Sequence, residues 1–303
     1  MTRSSPCVAV AAPLHEDRME DTAQDTASVL LLAAGDGAKA RLHLNGAHVT
    51  SWSPADETED RLFVSVKSGF GPGVSIRGGI PVCFPQFGST GPLPQHGFAR
   101  VSPWTLLHKE EGADHAVAVL RLIESDATQA LWPHPFSAEL TVAIGGTTLD
   151  VTLAVTNTGD APFSFTAALH PYFRVADAYA CEVIGLDGAS YRDALRAGTV
   201  HTETAPALAI TEAIDRVYFA VDSPVTLRER DRGLRIERRG FPDVVVWNPG
   251  KAGVDSRADF HEGDERRMVC VEAAAVQHPI VLAPGEVWEG AQRMTTESSS
   301  RGA

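Results

Sequence analysis

Apolar and polar residues alternate with a period of two along most of the chain. In residues 38–44, Ala or Leu occupies every second position, and Lys, Arg or His fills the gaps. This spacing predicts a half-buried β-strand. The turn-forming pairs Asp36-Gly37 and Asn45-Gly46 flank the segment, so residues 29–52 are predicted to form a three-stranded meander.

The same alternation recurs downstream, and helical periodicity is scarce. Further strands are predicted at residues 117–123, 137–144, 149–155, 163–170, 225–229, 234–238, 244–247, 268–274 and 277–282. Strands at short intervals with few helices indicate antiparallel sheets packed face to face, because each sheet has to bury its apolar face. The predicted fold class is therefore all-β, a large antiparallel β-sandwich.

The domain organisation follows from length and composition. With 303 residues and 44% hydrophobic content, the chain can bury a large core, and no composition shift divides it. We predict a flexible lead-in at residues 1–25, one sandwich domain at 26–294 and a disordered polar tail at 295–303. Residues 67–97 are rich in Gly and Pro and lack a regular period, and such long irregular segments are usually functional.

Charge and cysteine content narrow the function classes. A formal net charge of -13 argues against nucleic-acid partners and against binding to anionic membranes, so an anionic ligand would need local positive charge. No segment resembles a signal peptide or a membrane span. The scattered cysteines are expected to be reduced thiols in a cytoplasmic protein. They are Cys7, Cys83, Cys181 and Cys270.

Two titratable residues stand out within the predicted strands. His170 lies at the end of the strand 163–170, away from its apolar face, where an imidazole can face a cleft; a lone histidine is more often a surface or strand-capping residue. Glu272 lies in a strand that is apolar on both faces, so its carboxyl is expected to be hydrogen-bonded or to have a raised pKa, as a general base does. The alternatives are an edge-strand glutamate or a structural ion pair.

Two glycine-containing segments carry arginines. Residues 75–81 place Arg77 beside Gly78 and Gly79, where backbone N–H groups and a guanidinium can both approach a phosphate. Residues 94–100 add a second arginine, Arg100, together with Gln95 and His96, all of which can bind sugar hydroxyls or phosphate oxygens. Each segment alone is equally consistent with a turn that contains a structural arginine.

Other catalytic patterns fit poorly. The glycine-containing segment at residues 69–77 lacks the second glycine of a nucleophile elbow and the lysine of a phosphate-binding loop. The 11 histidines show no compact ligand spacing, so no metal site is predicted. A glycoside hydrolase with paired carboxylates stays open as an alternative, since the sequence cannot give the separation of any carboxylate pair.

Six motifs in order carry a family resemblance. They are SIRGGIPVCFPQFG (75–88), PQHGFAR (94–100), LWPHPF (131–136), ALHPYFRV (168–175), VVVWNP (244–249) and MVCVEAA (268–274). Together they resemble the glucose-6-phosphate 1-epimerase family, the hexose-6-phosphate mutarotase branch of the aldose 1-epimerase superfamily. The resemblance spans about residues 30 to 292.

This resemblance implies a galactose mutarotase-like sandwich with the active site in a cleft on one sheet and with no cofactor. It implies that His170 is the catalytic acid and Glu272 the catalytic base. It implies a substrate-binding set of Arg77, Gln95, His96, Arg100 and Asp215, in which the arginines hold phosphate, Asp215 binds sugar hydroxyls and His96 assists at the sugar ring. Proximity is expected to favour an ionised Glu272 beside a protonated His170.

The expected activity is the interconversion of α and β anomers of a hexose 6-phosphate by a monomeric isomerase. The alternatives are an aldose 1-epimerase for unphosphorylated sugars and a non-catalytic carbohydrate-binding sandwich. Two positions depart from the family pattern: Pro171 follows the histidine where a small polar residue is common, and Gly250 stands where an aromatic is common. Either departure can change the shape of the pocket and therefore sugar preference.

Overall fold

The computed structural model describes residues 28–230 and 232–298. Most of the described chain is β-strand, as the alternation of apolar residues predicts. The strands are β1 (Val29–Ala33), β2 (Lys39–His43), β3 (His48–Ser53), β4 (Val82–Cys83), β5 (Thr105–Glu111), β6 (Ala116–Ile123), β7 (Phe136–Gly145), β8 (Thr148–Asn157), β9 (Phe163–Leu169), β10 (Tyr172–Arg174), β11 (Cys181–Ile184), β12 (Ser190–Asp193), β13 (Thr199–Thr202), β14 (Ala207–Ala209), β15 (Ile214–Tyr218), β16 (Val225–Glu229), β17 (Arg232–Arg239), β18 (Asp243–Asn248), β19 (Met268–Leu282) and β20 (Val287–Ser298). The α-helices of the described residues are the short α1 (Asp126–Leu131) and α2 (Gly250–Asp255).

The strands pair in antiparallel ladders. A small sheet has the order β1-β2-β3, which is the meander predicted from the sequence. What we call the site sheet has the order β13-β12-β15-β18-β19-β9-β4, with β10 also paired to β19. The back sheet has the order β14-β11-β16-β17-β20-β8-β7-β6-β5.

The core lies between the site sheet and the back sheet. Every second residue of β8 is buried, and these residues join one hydrophobic cluster with the inward residues of β19, among them Val269, Val271 and Ala273. Alternation along each strand sends the intervening residues to the opposite face. The all-β, antiparallel sandwich prediction is therefore confirmed, and the outward face of β19 is available for a site.

Two strand boundaries differ from the prediction. Residues 268–274 and 277–282 form one strand, β19, because the chain absorbs the irregularity as a register shift against β9 between Ala275 and Ile280. The predicted tail starts at Thr295, but β20 continues to Ser298, since these residues pair with β17. The predicted lead-in at 1–25 and the last residues, 299–303, lie outside the described residues.

The short strands from β11 to β15 were not predicted, because segments such as Ser190–Asp193 and Thr199–Thr202 contain too few apolar residues to show a period. Within the described residues, Cys83, Cys181 and Cys270 are buried free thiols, and Cys7 falls outside that range. None of the described helices has the length and apolar character that crossing a bilayer requires.

Candidate active site

The register of the site sheet brings His170 and Glu272 together. Glu272 stands opposite Val245 of β18, and Ala273 stands opposite Leu169 at the end of β9. His170 follows Leu169 directly, so its ring reaches the outward face beside Glu272. His170 Nε2 lies 3.3 Å from Glu272 Oε1.

Two apolar clusters enclose this pair. On one side lie buried side chains from β4, β9, β18 and β19, including Cys83 and Ala168. On the other side lies a second cluster that includes Tyr172, Cys270 and Phe260. The indole of Trp247, from β18, packs against both clusters. The Glu272 side chain is consequently 0% exposed, and that of His170 is 9% exposed.

The His170 imidazole is held between aromatic rings. It stacks on the Tyr172 ring, with centroids 4.9 Å apart and planes 11° apart. The edges of Trp247 and His96 approach it at 5.8 Å and 5.6 Å between centroids. These contacts fix the plane of the imidazole and therefore the direction in which it can give or take a proton.

Burial controls the charge of the pair. It lowers the pKa of His170 well below the usual value, and the neighbouring His96 lowers it further. Burial also raises the pKa of Glu272 well above the usual value, and the Asp215 carboxylate adds to this rise. His170 Nδ1 and both Glu272 carboxyl oxygens are buried without a hydrogen-bond partner among the described residues. Such groups are costly to leave unpaired, which is typical of a site that completes its hydrogen bonds with a ligand.

These pKa directions bear on two expectations. The raised pKa of Glu272 is the one predicted from its apolar strand. For the free protein these directions run against the expected ionised Glu272 beside a protonated His170, because burial disfavours the charged form of each group. Burial thus favours a neutral imidazole beside a protonated carboxyl, and the expected ion pair stays a prediction.

His96 is a neutral histidine in a defined orientation. Its pKa is lowered to about 3, mainly by burial, with Arg100 and Arg77 contributing. The Gly88 N–H donates to His96 Nδ1 at 3.3 Å, and Cys83 Sγ lies 3.3 Å from the same nitrogen. Because Nδ1 accepts, the ring proton of the neutral form is on Nε2, where it can be donated.

Asp215 lies on the same face, two strands from Glu272. It stands opposite Trp247 in the pairing of β15 with β18. Burial raises its pKa to about 6, and the nearby Asp193 adds to this rise while Arg257 opposes it. The charge of Asp215 contributes to the raised pKa of Glu272, so the two carboxyl groups interact electrostatically.

Arg77 is already engaged with neighbouring side chains. Its Nε–H and Nη2–H donate to Asp259 Oδ2 at 3.0 and 2.9 Å, and its Nη1–H donates to the Tyr172 hydroxyl at 3.0 Å. The guanidinium also lies 4.8 Å from the centroid of the Phe260 ring. Arg77 therefore reaches the site through Tyr172, whose ring stacks on His170.

Arg100 has no carboxylate partner among the described residues. Its Nη2–H donates to the backbone carbonyl of Gln95 at 2.8 Å, and its Nε is buried without a partner. The Gln95 side chain is exposed, and it is the backbone carbonyl of Gln95, not its side-chain amide, that accepts the hydrogen bond from Arg100. Arg100 contributes to the lowered pKa of both His96 and His170, which puts its charge close to the site.

Buried polar residues hold the loops that carry these groups. His48 Nε2 donates to the Gly78 carbonyl at 2.7 Å, and burial lowers the pKa of His48 to about 3. Gln86 binds the carbonyls of Gly88 and Leu93 and accepts from the Leu93 N–H, bracing the loop before His96.

The two departures from the family pattern have local consequences. Gly250 has φ +61°, and a Cβ there would lie 2.8 Å from that of Ala213, so this backbone excludes an aromatic side chain. Pro171 is buried between β9 and β10. Within the described residues, no three His, Cys, Asp or Glu side chains gather in a way that could hold a metal ion.

Several residues of the site were missed in the sequence. Tyr172 and Trp247 could have been identified from the sequence. Alternation along β18, for example, places Trp247 on the face opposite to Val244 and Val246. Asp259 had none, since it lies in an irregular segment 182 residues from its partner Arg77.

Comparisons with known proteins show the family of the chain. The family model described as aldose 1-epimerase matches residues 28–295. A Cenchrus ciliaris protein, provisionally named glucose-6-phosphate 1-epimerase, is 38% identical over 271 residues, which are 86% of this chain and 82% of that protein. An Escherichia coli K12 protein with the same provisional name is 35% identical over 240 residues, covering 78% of this chain and 79% of its own.

Solved structures extend the agreement to the fold. A crystal structure from Salmonella typhimurium, provisionally described as a mutarotase, superimposes with a TM-score of 0.83 at 30% identity, covering 89% of this chain and 90% of that one. A galactose 1-epimerase from Lactobacillus acidophilus NCFM has the same fold, with a TM-score of 0.68 at 14% identity over 88% of this chain and 93% of its own. The chain therefore belongs to the aldose 1-epimerase family.

Proposed function

We propose that the protein is a hexose-6-phosphate mutarotase that interconverts the α and β anomers of glucose 6-phosphate or a related hexose 6-phosphate. The observation that carries the proposal is the enclosed pair of His170 and Glu272, 3.3 Å apart, with unpartnered polar atoms on both side chains. Anomer exchange opens and recloses a hemiacetal. One group has to take the proton of the C1 hydroxyl while another gives a proton to the ring oxygen.

The pair needs one proton for the whole cycle. With Glu272 ionised and His170 protonated, the carboxylate takes the C1 hydroxyl proton and the imidazolium protonates the ring oxygen. The ring opens, leaving a neutral imidazole beside a protonated carboxyl. Rotation about C1–C2 in the open aldehyde then presents the other face, and the same transfers run backwards. The form that burial favours in the free protein is thus the form that accompanies the open-chain sugar.

The other candidate residues surround this pair in roles that bind and orient the sugar. We assign Asp215 to bind the sugar hydroxyls. We assign His96 to donate a hydrogen bond from Nε2 to the sugar ring. Arg100 and Arg77 would bind the phosphate, with Gln95 at the rim, and so turn remote binding energy into orientation at C1. In a protein of net charge -13, this local positive charge is what an anionic substrate requires.

The relatives' provisional names favour the phosphorylated substrate, and Arg100, without a carboxylate partner among the described residues, supplies an unpaired cation for it. The mutarotase for unphosphorylated aldoses and the non-catalytic sugar-binding sandwich remain the alternatives. That the protein acts as a monomer in the cytoplasm stays a prediction.

Exchange spectroscopy by NMR tests the activity. Equilibrated glucose 6-phosphate and glucose are each followed with and without the protein, and α-to-β exchange is measured. We expect acceleration for the phosphate ester and little for glucose. Equal acceleration of both would favour the general aldose epimerase, whereas binding of glucose 6-phosphate without acceleration would favour the sugar-binding sandwich.

Glu272→Gln tests the catalytic pair in the same assay. Loss of a positioned general base is expected to lower the exchange rate about 10²–10⁴-fold. The thermal stability should not fall, because the carboxyl has no hydrogen-bond partner among the described residues to lose. Glu289→Gln, on the exposed side of β20, is the matched control, with a rate close to that of the unmodified protein. An unchanged rate in Glu272→Gln would exclude this glutamate as the base.

A further inference from the structure

The contacts of Arg77 pose a problem for a phosphate-binding role. Its Nε–H and Nη2–H form one of the two edges with which a guanidinium can bind an oxyanion through two hydrogen bonds, and both point at one oxygen of Asp259. One Nη1–H donates to the Tyr172 hydroxyl. The position that a phosphate would take on this edge of Arg77 is thus filled by a carboxylate of the protein itself.

Asp259 lies on a segment that is anchored at Phe260 and Asp264. The segment joins α2 to β19, and its Phe260 is 3% exposed. Its Asp264, 5% exposed, accepts hydrogen bonds from Ser65 Oγ at 2.7 Å and from the His261 N–H at 2.8 Å. The Asp259 side chain, by contrast, is 36% exposed. Its carboxylate can therefore turn into water without disturbing the anchored part of the segment.

The energetics of displacing Asp259 depend on the charge of the incoming group. A phosphate dianion can replace the lost ion pair on Arg77, and the released carboxylate is rehydrated at the surface. A neutral hydroxyl cannot compensate for separating a partly buried guanidinium from its carboxylate. A carboxylate that stayed in place would also repel a phosphate bound beside it.

We propose that Asp259 is a specificity-determining residue: its carboxylate holds Arg77 in the free protein, and the anionic group of a phosphorylated sugar displaces it. This inference rests on the proposed function and adds the means of discrimination. Sugars without a phosphate leave the Arg77–Asp259 pair closed and bind without this arginine. The cost of opening the pair is subtracted from the affinity for every phosphorylated ligand.

Binding of inorganic phosphate tests the proposal independently of any enzymatic activity. Calorimetric titration at constant ionic strength compares the unmodified protein with Asp259→Asn and with Asp255→Asn. Asp255 is the matched control because it lies four residues earlier, at the end of α2, and pairs with Lys251 on the surface. We expect Asp259→Asn to bind phosphate about tenfold more tightly, the scale of one like-charge contact in a partly polar setting. Asp255→Asn should bind like the unmodified protein.

The exchange assay adds the test of discrimination. In Asp259→Asn, the KM for glucose 6-phosphate should fall by a similar factor, while the exchange rate of glucose changes less than about twofold, since glucose does not open the pair. Unchanged or weaker phosphate binding in Asp259→Asn would overturn the inference, as would equal effects on glucose and glucose 6-phosphate. If the unmodified protein accelerates neither sugar but the phosphate affinity responds as expected, the proposed function fails and the role of Asp259 stands.

Discussion

At the scale of residues, the chemistry of the site depends on what burial does to each ionisable group. Burial shifts the pKa values of His170 and Glu272 in the directions that favour their neutral forms, in which the transferable proton is on the carboxyl. An ion pair of the same two groups contains the same number of protons. The reaction therefore moves protons only between the pair and the sugar, and it needs no exchange with solvent.

Asp215→Asn should make stability depend on pH in a defined direction. The folded pKa of Asp215, about 6, lies above the usual value of 3.8, so its stabilising contribution is present below pH 3.8 and is lost as pH rises through about 6. Asparagine does not titrate. We expect the variant to be more stable than the unmodified protein by about 1–3 kcal/mol at pH 8, with the difference disappearing near pH 4.

Urea unfolding at several pH values measures this difference. A stability difference that stays constant from pH 4 to pH 8 would contradict the raised pKa. In the exchange assay, the same variant should lose activity if Asp215 binds sugar hydroxyls. A variant with higher stability and lower activity at pH 8 would separate the binding role of this carboxylate from any role in folding.

At the scale of elements, the loop that carries Arg77 depends on glycines in close contact with β3. Gly79 has φ +62°, and a Cβ there would lie 2.3 Å from the Val49 carbonyl oxygen and 2.7 Å from His48 Nε2. Gly73, in the same irregular segment, has φ +75° but no atom within 4 Å of a Cβ. An alanine at either position would therefore pay the same backbone cost of a left-handed conformation. Only at position 79 would its Cβ also clash with neighbouring atoms.

Gly79→Ala should thus be far more damaging than Gly73→Ala. We expect a loss of about 1 kcal/mol for Gly73→Ala, from backbone conformation alone, and about 2–5 kcal/mol for Gly79→Ala. Gly79→Ala should also lower mutarotase activity, because the displaced loop moves Arg77. Urea unfolding and the exchange assay measure both effects. Equal losses at the two positions would mean that the contact with β3 relaxes without cost.

Elements with strong alternation could be predicted from the sequence, and so could the faces of their residues. His170 and Glu272 were each assigned to the correct face of their strand by counting positions in steps of two, before any pairing was known. Which strands become neighbours could not be predicted. The 3.3 Å separation depends on the register of β9 against β19, which only the folded sheet sets.

The site residues outside regular strands illustrate the same limit. Arg77 and Arg100 were identifiable by their residue type and their neighbouring glycines. Their partners were not identifiable: Arg77 is paired with Asp259, which is far away in the sequence, and Arg100 lacks a carboxylate partner in the described chain. The pKa directions of His170 and Glu272 depend on the depth of burial, which the sequence indicates less readily than proximity.

At the scale of the whole molecule, one of the buried amides that link the two main sheets lies behind the site. Gln292 of β20, in the back sheet, is 0% exposed, and its Nε2–H donates to the Val271 carbonyl of β19 at 3.0 Å. Val271 directly precedes Glu272. The Gln292 carbonyl oxygen, however, is buried without a hydrogen-bond partner among the described residues. This side chain thus combines one inter-sheet hydrogen bond with one unsatisfied polar atom.

Gln292→Met and Gln292→Ala separate the hydrogen bond from the packing. Methionine keeps a similar volume, loses the bond to Val271 and removes the unsatisfied oxygen, and because these two effects oppose each other, we expect stability within about 1 kcal/mol of the unmodified protein. Alanine leaves a cavity between the sheets and should cost about 2–5 kcal/mol. Urea unfolding measures both. A large loss of stability in the methionine variant would mean that the hydrogen bond from Gln292, rather than apolar packing, holds the sheets together behind Glu272. The expected result would mean that apolar packing in the core holds them together.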